Sequence, residues 1–123
     1  QKFGKVPQEI RSAMLRNEQD SLFVKRLDSI VYSRLGEQDL SVDKVAGLLH
    51  LGRTIFYKKV RGTTGYTPNE YIRVIRLRKA AELLKEGEKN VSEVAYAVGF
   101  DNPYYFSKCF KEQFGMPPSQ YRS

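Results

Sequence analysis

The chain has 123 residues, 21 of them Lys or Arg and 14 Asp or Glu, for a formal charge of +7. That length suits one domain, or two very small ones sharing a core, and it can bury enough apolar surface to fold without staples. The basic balance favours a polyanionic partner over an acidic or neutral one, with a plain solvated basic surface as the alternative. A single cysteine excludes an internal disulfide and fits a reducing compartment, and no apolar run approaches the roughly 20 residues of a membrane span.

Residues 1–19 mix Gly, Pro and charges with a weak apolar scatter of Ile10, Met14 and Leu15, and read as a partly ordered linker with at most a short helix. Asp20 is the expected cap of a helix running to about Leu35, with Phe23, Leu27, Ile30, Val31 and Leu35 as its buried stripe and Gly36 just past its end. Ser41 caps a second helix whose Val42, Val45, Ala46 and Leu49 face inward, and Leu51-Gly52 makes a turn. The next helix begins at about Arg53 and ends near Val60. It buries Phe56, Val60 and part of Ile55, leaves Arg53, Thr54, Tyr57, Lys58 and Arg61 in solvent, and carries no acid.

The stretch Gly62–Gly65 reads as a loop. Thr67, Pro68 and Glu70 then form a capping box with proline at the first helical position, so a long helix starts there and runs to Gly87. Tyr71, Ile72, Ile75, Leu77, Ala80, Ala81, Leu83 and Leu84 are its apolar set, and Arg73, Arg76, Arg78 and Lys79 its basic flank. Arg76 is expected in an ion pair, for instance with Glu93 or Asp101, that locks the two halves of the chain together, with DNA contact as the alternative. After a loop over 86–90, Ser92 is the expected cap of a short helix with Val94, Ala95 and Val98 on its apolar face; Gly99 ends it and Phe100 drops into the core. Asn102-Pro103 starts another helix, in which Phe106, Cys109, Phe110 and Phe114 face inward while Pro103, Tyr104, Ser107, Lys108 and Lys111 lie opposite. Pro117 and Pro118 bar its continuation, and Tyr121 is expected to fold back onto the core.

The unit at 44–61 repeats at 93–111. Val45-Ala46 matches Val94-Ala95, Leu49 matches Val98 and Leu51 matches Phe100; after a turn one residue longer, Phe56, Tyr57, Lys58 and Val60 match Phe106, Ser107, Lys108 and Phe110. A helix, a short turn and a second helix with a polar, basic outer face is the architecture that lays its second helix in a DNA major groove. Two copies on one rigid connecting helix of close to 30 Å would reach successive grooves about one DNA turn apart.

The segment AVGFDNPYYFSKCFKEQFGMPPSQYR resembles the signature end of the AraC-type bacterial transcription regulators, and LSVDKVAGLLHLGRTIFYKKVRGTTGYTPNEYIRVIRLRKAAELL is similar to the preceding half of that domain. The resemblance covers roughly 21–122 and extends to the C-terminal output domain of hybrid two-component regulators. It implies an all-α fold of about seven helices. The organisation is a linker over 1–19, a first helix-turn-helix subdomain over 20–66, a connecting helix over 67–87, and a second subdomain with the tail over 88–123.

Carried over by position, the resemblance implies base contacts from Thr54, Tyr57 and Lys58 of the first reading helix and from Pro103, Tyr104, Ser107 and Lys108 of the second, with Lys58 and Lys108 suited either to guanine O6 and N7 or to phosphate. Pro103 has no donor and offers only apolar contact, as to a thymine methyl. Arg53, Arg61, Lys111, Ser92 and Asn102 are expected at the DNA backbone. The chain departs from the family pattern at Gly52, where a serine cap is common.

The leading reading is therefore a sequence-specific binder of double-stranded promoter DNA, cytoplasmic, with RNA polymerase as a second partner. A membrane-bound hybrid sensor would carry it as its cytoplasmic C-terminal part. Gln1 is no natural initiator, so the chain reads as a fragment, with dimerisation and any small-molecule or membrane contact assigned to other parts. His50 is the lone histidine and Cys109 faces inward, so a zinc site or a Cys-His pair lacks its parts: no catalytic residue, metal ligand or cofactor is expected. The competing readings are a helical module for an acidic protein and an architectural or RNA-binding protein that holds phosphates with little sequence preference.

Overall fold

The computed structural model describes residues 8–37 and 40–122, the side chains of residues 8, 9 and 11–14 excepted. Of the sequence expectations, residues 1–7 of the linker and the side chain of Met14 lie outside the described residues. The described residues form seven helices and no strand: α1 (Gln8–Tyr32), α2 (Val42–Leu48), α3 (Arg53–Thr64), α4 (Pro68–Glu86), α5 (Val91–Ala97), α6 (Pro103–Phe114) and α7 (Pro118–Tyr121).

Two buried clusters organise these helices. The first gathers Phe23, Leu27 and Val31 of α1, Val45 and Ala46 of α2, Phe56 and Val60 of α3, and Tyr71, Ile72 and Ile75 of α4. The second gathers Leu77, Ala80, Ala81 and Leu84 of α4 with Val94, Ala95 and Val98 around α5 and Phe106, Cys109 and Phe110 of α6. Among the described residues α4 supplies both clusters, one from each half of its length, so its apolar residues spread around the helix instead of forming one stripe. Val74, absent from the expected apolar set, is buried as well.

α1 differs from expectation at its start. Asp20 caps nothing and lies inside a 25-residue helix. Residues 8–22 contain neither glycine nor proline, and the helix continues through them with Ile10, Leu15 and Leu22 exposed, which is why no buried stripe announced it. α3 likewise runs through Gly62 to Thr64, and the expected loop shrinks to the residues after it. Thr64 Oγ1 donates to the Val60 carbonyl at 2.7 Å, so its hydroxyl is satisfied inside the helix.

The cap of α5 is also corrected. Asn90, not Ser92, caps it: the Asn90 side-chain oxygen accepts from Glu93 N–H at 2.8 Å, and Asn90 N–H donates to Glu93 Oε1 at 2.8 Å. A reciprocal box satisfies two end groups where Ser92 would satisfy one, so the helix starts two residues earlier. The box at Thr67 and Glu70 forms as the sequence indicates, with Thr67 N–H donating to Glu70 at 2.9 Å. At the other end, α7 folds back so that the ring of Tyr121 stands edge-on to Phe110 at 5.3 Å, and Arg122 donates to the Gly87 carbonyl at 2.9 Å.

The duplication holds to the level of single hydrogen bonds. Leu51 N–H donates to the Ala46 carbonyl and Phe100 N–H to Ala95, both at 2.9 Å. His50 and Gly99, between the paired helices, both have left-handed backbone, φ 59° and 96°. α2 and α5 each have 7 residues, α3 and α6 each 12. The correspondence also runs on: Gly65, Pro68 and Tyr71 are matched by Gly115, Pro118 and Tyr121 at an offset of 50, so α7 is a one-turn counterpart of the start of α4.

Candidate nucleic-acid interface

Helical spacing decides what α3 and α6 present. Phe56 and Val60 are buried against the first cluster, which turns Thr54, Tyr57, Lys58 and Arg61 to solvent along one stripe at intervals of three and four. In α6 the burial of Phe106, Cys109 and Phe110 leaves Tyr104, Ser107, Lys108 and Lys111 as the equivalent stripe. Tyr104 is 88% exposed and Tyr57 44%. Packing against the core therefore accounts for little of the Tyr104 ring, which stands on the outward stripe.

The two helix starts are built differently. Asn102 Oδ1 accepts from Tyr104 N–H at 2.9 Å and Tyr105 N–H at 3.3 Å, and Pro103 follows in the first helical position, half-buried. Gly52 offers α3 no side-chain cap, so the first N–H groups of that helix face solvent. Arg53 there is held by Asp43 of α2: its Nε donates to Oδ1 at 3.0 Å and its Nη2 to Oδ2. That hydrogen bond holds the Asp43 carboxyl below the ordinary carboxylate range and raises Arg53. Both side chains are exposed, so the pair positions the guanidinium beside the start of α3 without committing much free energy.

Lys59 leaves the outer face. Its ammonium lies 5.1 Å from the centre of the Phe23 ring on α1. Lys58 and Arg61 remain as the cations of the outward stripe, with Arg53 at the start of the helix. Ser92 is exposed on α5, off both stripes.

Ile55, expected to be buried in part, is 53% exposed; Tyr105 is 47% exposed, its ring 6.1 Å from that of Phe100 and its hydroxyl accepting from Arg73 at 3.3 Å. The repeat carried the missing signal, since Ile55 and Tyr105 are equivalent at the offset of 50 and both flank the outward stripe.

The expected ion pair of Arg76 is replaced by another arrangement. Arg76 Nη1 donates to the carbonyl oxygens of Leu35 at 2.7 Å and Val98 at 2.6 Å, one from each half of the molecule, with neither Glu93 nor Asp101 as partner. The distribution of charge on the outer faces was legible in sequence; a cation paired with backbone carbonyls was not.

A family model described as a helix-turn-helix domain matches residues 34–123. The chain belongs to the AraC-type helix-turn-helix family. It is a DNA-binding domain of the kind found in transcription regulators. Histidine kinase P4 of Formosa agariphila is 38% identical over 104 residues, which is 85% of this chain and 8% of that protein. The Msm operon regulatory protein of Streptococcus mutans is 33% identical over 86% of this chain and 38% of its own length. The chain spans less than half the length of these relatives.

Among solved structures, the C-terminal domain of AraT, a response regulator from Geobacillus stearothermophilus, superposes with a TM-score of 0.72 at 32% identity, over 80% of this chain and 82% of that one. The DNA-binding domain of AdpA, solved in complex with a target DNA, gives 0.72 at 29% identity over 78% and 86%. Among the described residues, no helix is long and apolar enough to cross a membrane.

Proposed function

We propose that the chain reads promoter DNA as the output domain of a hybrid two-component regulator, placing α3 and α6 in successive major grooves. The observation that carries the reading is the repeated outward stripe: Thr54, Tyr57, Lys58 and Arg61 on one helix and Tyr104, Ser107, Lys108 and Lys111 on its counterpart, all exposed but the half-buried Ser107, and set by the same buried pattern. α4, 19 residues and about 28 Å long, spans a distance comparable to one turn of DNA.

On this reading Thr54, Tyr57, Lys58, Tyr104, Ser107 and Lys108 face base edges. Lys58 and Lys108 donate to guanine O6 and N7, and Tyr57 and Tyr104 make edge or stacking contacts. Pro103 gives apolar contact. Arg53, Arg61 and Lys111 meet phosphates, with Ser92 and Asn102 as flanking polar contacts. The Asn102 carbonyl oxygen already serves the α6 cap, so its phosphate contact falls to the amide N–H groups.

The domain acts by binding and not by catalysis, needs no cofactor, and works in the cytoplasm. The similarities to Histidine kinase P4 and to the AraT response regulator support the two-component assignment. We assign 20–66 and 88–123 as the two reading subdomains and 67–87 as their connector. RNA polymerase contact and dimerisation are attributed to the regulator as a whole.

The test is the double charge reversal Lys58→Glu with Lys108→Glu. It should abolish binding to the preferred duplex while leaving helix content and melting nearly unchanged, because both side chains are exposed. Binding that survives would show that these faces do not read DNA.

A further inference from the structure

α4 changes the core it serves halfway along: Ile75 belongs to the first cluster and Leu77 to the second. Arg76 stands between them. Its two acceptors both lie at helix C-terminal ends, Leu35 in the turn that follows α1 and Val98 as the C-cap of α5. Neither carbonyl has an intrahelical partner, and that of Val98 lies at the negative end of a helix dipole, so one guanidinium satisfies an orphan group from each half.

Gly99 makes this possible. A Cβ there would overlap Arg76 Nη1 and the Leu35 carbonyl oxygen, so the side chain passes through space that only glycine leaves free. Outside the bridge the joint is open: a cleft of about 260 Å³ lies there, lined by Asn69, Arg73, Arg76, Asp101 and Tyr105 among others.

We infer that Arg76 is a positioning residue for DNA recognition, which ties the end of α1 to the end of α5 and thereby sets the number of base pairs between the two blocks that α3 and α6 read. This rests on the reading of α3 and α6 as the DNA-reading helices. α5 and α6 move together, because the turn between them is fixed by the Phe100 to Ala95 hydrogen bond and the burial of Phe100. α1 and α3 likewise share the first core. A shift at the Leu35, Arg76 and Val98 junction therefore reorients one reading helix against the other. One base pair corresponds to about 3.4 Å along the duplex and roughly 35° around it, a displacement that a loosened joint would accommodate and a fixed one would not.

The experiment starts from the duplex that the wild-type chain selects out of a randomised library. The spacer between the two contacted blocks is then lengthened or shortened by one base pair, and affinities are measured for wild type, Arg76→Lys and Arg76→Met. Wild type should lose at least about tenfold on either change. Arg76→Met should lose less than about threefold, with Arg76→Lys intermediate, because a single ammonium replaces a planar fork. A folded Arg76→Met variant as intolerant of spacing as wild type overturns the inference. Should Arg76→Met fail to fold by circular dichroism, Arg76→Lys decides, and a spacing profile identical to wild type overturns it. A wild-type chain that selects no duplex removes the reading of α3 and α6 itself, and with it the role given to Arg76.

Discussion

His50 and Gly99 occupy the same place in two copies of one turn, and both adopt left-handed backbone. Glycine takes that conformation freely, whereas a residue with a Cβ is strained there by about 1–2 kcal/mol. His50→Gly should therefore stabilise the chain by up to about 1 kcal/mol, less than the full strain because glycine also loosens the unfolded chain. Gly99→Ala should do the opposite and more strongly, since its methyl also meets Arg76 and Leu35. Urea denaturation of the two variants checks the pair.

Tyr71 ties α4 to α1 through its hydroxyl, which donates to Asp28 Oδ1 at 2.6 Å in a part-buried setting. Tyr71→Phe should cost about 1.5–3 kcal/mol, as for a hydrogen bond to a charged acceptor. Burial, followed by the bond to Asp28, raises the Tyr71 phenol above its ordinary value. A raised folded-state value means that this contribution is fully present below the unfolded value near 10 and fades as pH rises beyond it. Wild type should thus lose stability above about pH 10 more steeply than Tyr71→Phe, as thermal melting across alkaline pH would reveal.

The capping box at the start of α4 sets an acid limit. Glu70 is held below the ordinary carboxylate range chiefly by the backbone N–H of Thr67. A lowered folded-state value gives stability that is present above the unfolded value near 4.3 and is lost as pH falls through the lower folded one. Glu70→Gln should flatten that acid limb, and Thr67→Ala should cost about 1 kcal/mol at neutral pH by removing the cap.

Much of this was legible in the sequence because local rules and burial agree. Thr67-Pro68-Asn69-Glu70 and Asn102-Pro103 admit one reading as helix starts, and both begin helices. The phenylalanines of α6 could only face inward. Ser92 is also a good cap, but Glu93 three residues after Asn90 and the offset of 49 that pairs Asn90 with Ser41 both single out Asn90. The start of α1 was hidden because an exposed helix has no apolar period. Arg76 was misassigned because its partners are main-chain oxygens, which every residue possesses and no composition marks.

Contacts to bases and to phosphates separate by their response to sequence and salt. Tyr104→Ala should cost about 1–3 kcal/mol on the selected duplex and little on random DNA. Lys111→Ala should weaken both alike and lower the salt slope by about 1. Fluorescence anisotropy over a range of salt concentrations distinguishes them.

The most direct test is footprinting of the wild-type chain on its selected duplex, together with its affinity for random duplex at physiological salt. Two reading helices on one connector should give two protected major-groove blocks on one side of the DNA, centred about 10 base pairs apart, and at least about 10³-fold preference over random sequence. A single protected block, or equal affinity for all duplexes, would contradict this reading.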